Sequence, residues 1–90
     1  MNNKKISIIT ACKNAKKTIA KTIKSINNQS YKNIEHVIID GNSTDQTWNI
    51  IKENKFFPGK IISEADSGVN EAFNKALKFV TGEIVFFFII

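Results

Sequence analysis

The residues best suited to chemistry gather in three short clusters: Thr10 to Asn14, Asp40 to Asp45, and Ser63 to Gly68. In the second, Asp40 could accept hydrogen bonds from a ring N–H or from sugar hydroxyls, and Gly41 would let such a ligand approach the backbone. The same residues also read as a turn-forming Asp-Gly, with Ser43 and Asp45 capping the next helix. Taken alone, Asp-Gly-x-Ser does not decide between the two. The first cluster contains no glycine, which rules out a Gly-x-Gly-x-x-Gly pyrophosphate turn, and no Gly-Lys-Ser/Thr phosphate loop occurs anywhere. A nucleotide held here would have to be recognised in another way, through base and ribose.

Periodicity predicts the elements that position these clusters: strand, helix, strand, helix, strand, helix, strand, the alternation of a parallel sheet covered by helices. The first strand is expected from about Lys5 to Cys12, its Ile6, Ile8 and Ile9 nearly continuous as in a strand buried on both faces. A helix follows from Ala15 to about Asn28, with Ile19, Ile23 and Ile26 on one arc and Lys17, Lys21 and Lys24 on a solvated opposite one. The second strand runs from about Ile34 to Asp40. Ser43 or Thr44 is expected to cap the next helix, Asp45 to favour its positive end, and Trp48 and Ile51 to supply its packing.

Phe57-Pro58-Gly59 then punctuates the chain before a short strand, about Lys60 to Ser63. Val69, Ala72, Phe73, Ala76, Leu77 and Val80 recur at helical spacing, and Thr81-Gly82 closes that helix. The apolar run from Ile84 to Ile90 is far too short to cross a bilayer and reads as a buried strand. In an open parallel sheet ligands bind outside the carboxyl ends of the strands, and all three clusters lie at such ends. They should converge on one rim.

Composition limits the function classes. Ninety residues allow one domain, about half of a typical α/β nucleotide-binding fold. All thirteen basic residues are lysine in a chain of net charge +5. Without arginine's fork of donors, nucleic-acid recognition is not expected. The mixture rich in Lys, Ile and Asn points to a bacterial source. Cys12 is the only cysteine, so an internal disulfide is excluded and a reduced cytoplasmic setting fits. No signal peptide or transmembrane segment is expected, which leaves room only for peripheral contact at the inner face of the membrane.

Taken together, four stretches resemble family 2 glycosyltransferases of the GT-A fold, in a subgroup common among bacterial cell-surface polysaccharide enzymes. They are Ile8 to Asn14, Ser25 to Tyr31, Glu35 to Thr47, and Ser63-Glu64 through Gly82-Glu83, in the family's order and spacing. The resemblance implies a partial, Rossmann-like GT-A fold in three layers, with a parallel four-stranded sheet and three helices, filling residues 1–90 as the nucleotide-binding half of one domain. It implies that Thr10, Ala11 and Asn14 line the nucleotide, that Asp40 and Gly41 meet the base or ribose, and that Ser43 and Asp45 shape the adjacent turn. The family's Asp-x-Gly turn and Asp-Ala-x-Asn-Lys helix are matched by Asp66-Ser67-Gly68 and Glu71-Ala72-Phe73-Asn74-Lys75. These matches add Asp66, Gly68, Asn74 and Lys75 to the implied binding set. Glu71 replaces the usual aspartate, and the helical wheel sets it with Lys75 in a solvated i,i+4 pair.

In the family the last strand continues into an Asp-x-Asp motif whose carboxylates bind Mg²⁺ or Mn²⁺, with an acidic general base later still. This sequence ends at Ile90, so no residue is assigned as catalyst or metal ligand. The resemblance therefore implies a truncated N-terminal part of an inverting enzyme, inactive alone, that belongs to a transferase moving a sugar from a UDP-sugar to an acceptor hydroxyl. The partners implied are a nucleotide-sugar and a saccharide or lipid-linked acceptor. The competing expectation is a complete small nucleotide-binding or interaction module without catalysis. Phe86 to Ile90 is apolar enough to drive self-association if nothing covers it.

Overall fold

Seven elements alternate along the chain, as the periodicity predicts. In the computed structural model, which describes residues 3–90, they are β1 (Ile6–Cys12), α1 (Ile19–Asn27), β2 (Ile34–Asp40), α2 (Thr47–Asn54), β3 (Ile61–Ser63), α3 (Val69–Leu77) and β4 (Ile84–Ile89). All neighbouring strands pair in parallel, in the order β3-β2-β1-β4. The chain thus builds outward from β1 to β3 and then returns past β1 to place β4 on the other side. The strand order reverses at β1, and that reversal opens a crevice at the carboxyl ends.

Strand alternation sends residues to two opposite layers. One face of the sheet packs Ile9, Ala11, Val37 and Ile39 against Ala72 and Ala76 of α3, with Phe73 and Phe87 meeting edge to face at 4.8 Å. The other face packs Cys12 and Ile38 against Ala15, Ile19 and Ile23 around α1 and against Ile51 of α2. Farther along the same face, Ile8, Ile26, Ile34 and Phe57 close the layer. Each buried isoleucine contributes on the order of 2 kcal/mol by leaving water.

Several boundaries differ from the sequence expectation for local reasons. The first helix starts at Ile19 and not Ala15, because Ala15 O is engaged in a tight turn, accepting from both Thr18 N and Ile19 N. Neither Ser43 nor Thr44 caps α2. Both are drawn to Asn14, and the acidic group at that helix start is Asp45, which accepts the Thr47 amide at 2.9 Å. Helix α3 ends at Leu77, well before Thr81-Gly82, because Phe79 N turns back to Ala76 O. Trp48 is only half-buried, with the Lys52 ammonium 5.8 Å from its ring.

The larger correction concerns β4. It was expected to be buried, yet it forms the sheet edge with Phe86 50% and Ile89 57% exposed. Its apolar run matches a strand covered on both faces, but among the described residues only β1 pairs with it and only α3 covers part of one face.

Buried polar groups join the ends of the chain to the middle of the sheet. Glu35 on β2 accepts from the Ser7 hydroxyl, from the amides of Thr81 and Gly82, and from the Thr81 hydroxyl, with Lys5 at 3.6 Å. Burial would raise its carboxyl, but the bonds from Ser7 and Thr81, helped by Lys5, outweigh it and hold it below the usual range. His36, fully buried, pairs its Nε2 with the Thr10 hydroxyl at 2.8 Å and has no partner at Nδ1. Burial, with Lys55 adding to it, pushes the imidazole down to about 4.

Candidate functional site

The loops after β1, β2 and β3 meet as the sequence predicts, and side-chain to backbone hydrogen bonds fasten them. Asn14 adopts a left-handed conformation, φ 50°, that turns the chain out of β1. Its amide donates to Ser43 Oγ at 2.8 Å, and its Oδ1 accepts the Thr44 amide at 2.8 Å. Asp45 accepts the Lys16 amide on one oxygen and the Thr47 amide and hydroxyl on the other. These bonds, led by that from the Thr47 hydroxyl, hold its carboxyl below the usual range. The Thr47 hydroxyl in turn accepts the Ala15 amide at 2.8 Å.

Beneath this latch lies Asp40, fully buried at the end of β2. Its Oδ1 accepts the Ser43 hydroxyl, and its Oδ2 accepts the Ser43 amide at 3.0 Å and the Ser63 hydroxyl at 2.6 Å. The Cys12 thiol donates weakly to it across 3.8 Å. Burial and the nearby Asp40 carboxylate push that thiol up to about 12, so it stays protonated. Asp40 therefore ties three strand ends together with its acceptor capacity spent on the chain itself.

Beside the latch a cleft of about 140 Å³ opens at the switch point of the sheet. Ala11, Lys13 and Gly41 form one side, Asp66 and Gly68 with Val69 and Ala72 of α3 the other, and Ile89 and Ile90 close the end. Asp66 Oδ1 accepts the Gly68 amide at 3.1 Å, which shapes the turn into α3. Lys75 braces that turn from behind, donating to Ala65 O at 3.1 Å and pairing with Glu64 and Glu71. Burial would lower the Lys75 ammonium, but those two carboxylates outweigh it and raise it.

The implied binding set thus divides. Ala11, Gly41, Asp66 and Gly68 line the cleft, while Asn14, Ser43 and Asp45 form the latch beside it. Thr10 and Asp40 lie behind the surface, and Asn74 and Lys75 sit on the part of α3 that does not line it. Lys13 lines the cleft but was not singled out from the sequence. The available signal was its position directly after the last residue of β1, at the carboxyl end where ligands bind. Among the described residues no three His, Cys, Asp or Glu are grouped so as to hold a metal ion. Among the described residues Asp66 is the only acidic side chain lining the cleft, and the cationic Lys13 on the same cleft makes it a poor seat for a divalent ion.

An open parallel sheet with a largely apolar cleft at its switch point, flanked by Lys13 and Asp66, defines a Rossmann-like α/β protein. The chain belongs to Glycosyl transferase family 2, whose profile matches residues 7–88. It is 44% identical over 85 residues to the Escherichia coli UDP-Glc:alpha-D-GlcNAc-diphosphoundecaprenol beta-1,3-glucosyltransferase WfaP, a match covering 91% of this chain and 33% of that one. It is 35% identical to the Bacillus subtilis putative teichuronic acid biosynthesis glycosyltransferase TuaG, over 91% of this chain and 34% of that one. Its fold superposes with a TM-score of 0.83 on the mannosyltransferase PcManGT from Pyrobaculum calidifontis, solved in complex with GDP-Man and Mn²⁺. There the identity is 25%, over 94% of this chain and 27% of that one. The chain spans about a third or less of the length of the curated relatives it matches. The partial GT-A architecture implied by the sequence is the one observed.

Proposed function

We propose that these 90 residues form the nucleotide-binding half of an inverting glycosyltransferase that moves a sugar from a UDP-sugar to an acceptor hydroxyl in cell-surface polysaccharide synthesis. The observation that carries this reading is the meeting of three strand-end loops at one cleft, in a chain of Glycosyl transferase family 2. The name of WfaP, with its UDP-Glc donor and diphosphoundecaprenol-linked acceptor, supports a UDP-sugar and a lipid-linked saccharide as partners. PcManGT, bound to GDP-Man and Mn²⁺, supports a nucleoside-diphosphate sugar with a divalent ion. Such an ion would neutralise the diphosphate leaving group. Among the described residues the cleft offers such an ion Asp66 alone, with Lys13 also lining it, and no three His, Cys, Asp or Glu are grouped to hold one.

The chain's own contribution is binding and orientation. Gly41 leaves its side of the cleft without a side chain, Asp66 offers an acceptor to sugar hydroxyls or a ring N–H, and the latch around Asn14 and Asp45 keeps the walls in register. Titrating the ¹⁵N-labelled chain with UDP, UDP-glucose and GDP should move the amides of Ala11, Gly41, Asp66 and Gly68, without sugar transfer. Shifts confined elsewhere would sink this reading, as would transfer by the isolated chain without metal.

A further inference from the structure

We infer that the outer face of α1 is a contact surface for an anionic lipid bilayer. The inference rests on the reading above in one respect, the lipid-linked acceptor: such an acceptor lies in a membrane, and the chain that serves it has to approach that surface. The charge distribution indicates which side does so. Residues 1–34 hold eight of the thirteen lysines and none of the eight acidic side chains, leaving five lysines against eight acids in the rest of the chain. A face kept only for solvation mixes both signs, as α3 and its cap do with Glu71, Lys75 and Lys78.

Lys17, Lys21 and Lys24 carry the surface. All three are exposed, and their spacing of four and then three residues sets them in one row of about 10 Å, opposite the buried Ile19, Ile23 and Ile26. Lys17 stands in the turn that leads into α1. There the Ile19 and Thr22 amides already bond four residues back, to Ala15 O and Thr18 O, so the row follows one helical surface. Among the described residues the ion pairs engage Lys5 and Lys75, and no carboxylate neutralises any of the three. Lys16, beside the row, has Asp45 near it and is left out. The row starts next to the latch, where the Ala15 amide bonds Thr47 and the Lys16 amide bonds Asp45. A bilayer against α1 would therefore lie beside the rim on which the cleft opens. No arginine is present to fork onto a single phosphate. Flexible point charges on long stems suit a fluid array of anionic headgroups instead.

The test is sedimentation of the 90-residue chain, at low micromolar concentration and without nucleotide, with sucrose-loaded vesicles of phosphatidylcholine alone or mixed with phosphatidylglycerol. A vesicle-free tube corrects for protein that pellets by itself. The parent should bind the mixed vesicles and not the neutral ones, and should be released as salt rises. Lys21→Gln with Lys24→Gln should weaken that binding by at least about tenfold. The control removes the same charge from the α3 side of the sheet, by Lys78→Gln at the α3 cap and Lys60→Gln, whose ammonium lies 5.7 Å from the Phe79 ring. It should stay within about twofold of the parent. Gln keeps a helix propensity close to that of Lys, and unchanged far-ultraviolet dichroism checks that both variants are folded. Equal losses for the two variants would make binding a matter of net charge, and equal binding to neutral vesicles would make it apolar. Either result overturns the assignment of α1, as does a parent chain that stays in the supernatant. A chain that takes up UDP but ignores the vesicles loses only this inference, whereas one that binds them through α1 but takes no nucleotide loses only the proposed function.

Discussion

Ser63 donates its hydroxyl to Asp40 Oδ2 at 2.6 Å, fastening the last residue of β3 to the last residue of β2. Ser43 adds its amide and hydroxyl to the same carboxylate, and the loop it belongs to holds Asn14 at the end of β1. The cleft therefore depends on one buried acid for its outline, although another acid, Asp66, faces the ligand space.

That division separates two substitutions. Asp40→Ala leaves the Ser43 amide, the Ser43 and Ser63 hydroxyls and the weakly donating Cys12 thiol without their acceptor and should cost about 3 kcal/mol in urea unfolding. Asp66→Asn, at the cleft wall, should change stability by less than about 1 kcal/mol while weakening nucleoside binding several-fold. If Asp40→Ala leaves the unfolding midpoint in place and abolishes binding, Asp40 is a ligand contact and the structural role given to it here is wrong.

Two glycines with similar backbones make a controlled pair. Gly59 has φ 137° and Gly68 φ 132°, a region that side chains rarely adopt. A Cβ on Gly59 would meet the His36 backbone at 2.4 Å, whereas one on Gly68 meets nothing within 4 Å. Gly68→Ala should therefore cost only the conformational term, roughly 1–2 kcal/mol, while Gly59→Ala adds displacement of β2 and should cost at least about 3 kcal/mol. Equal thermal shifts for the two would show that the crowding at Gly59 is relieved cheaply.

Acid should weaken the fold over a defined window. His36 takes up a proton near its ordinary 6.5 when unfolded but only near about 4 when folded. The unfolded chain binds more protons between those values, so stability is fully present above 6.5 and is lost as pH falls towards 4. The loss amounts to about 3 kcal/mol. Glu35, held below its usual range, adds a loss that begins lower, beneath 4.5. Urea midpoints measured from pH 7 to pH 4 should fall steadily, and His36→Asn should remove most of that slope; an unchanged slope would place the titrating group elsewhere.

How far the sequence carried these conclusions varied with the range of the interactions involved. Ile19, Ile23 and Ile26 announced α1, and the convergence of three loops followed from where the strands ended, because periodicity and strand polarity are local properties. The roles of Glu35 and His36 in β2 have no local signal, because their partners lie at Thr81, Gly82 and Thr10. For the same reason the sequence alone leaves Asp40 open between a ligand contact and a turn former. Its acceptors looked free until the fold brought Ser63 beside it. The position of β4 was misjudged for a different reason: its apolar run signals a strand that can be covered on both faces, not what covers it.

That uncovered strand makes the final prediction. In register with Ile6, Ile8 and Thr10 of β1, the residues Ile84, Phe86 and Phe88 point to the α1 side, where a groove beside Ile26 and Gln29 leaves Phe86 and Phe88 50% and 45% exposed. The strand has neither charge nor proline to discourage pairing along its free edge. The 90-residue chain should therefore associate as its concentration rises, through β4. A Phe86→Lys, Phe88→Lys double variant sets two like charges on that face, and sedimentation should show it monomeric where the parent chain is not. Because both side chains are about half exposed, the variant should keep the parent's far-ultraviolet dichroism. A parent chain that stays monomeric at millimolar concentration would show that the apolar edge is protected by its own twist, and association through β4 would be excluded.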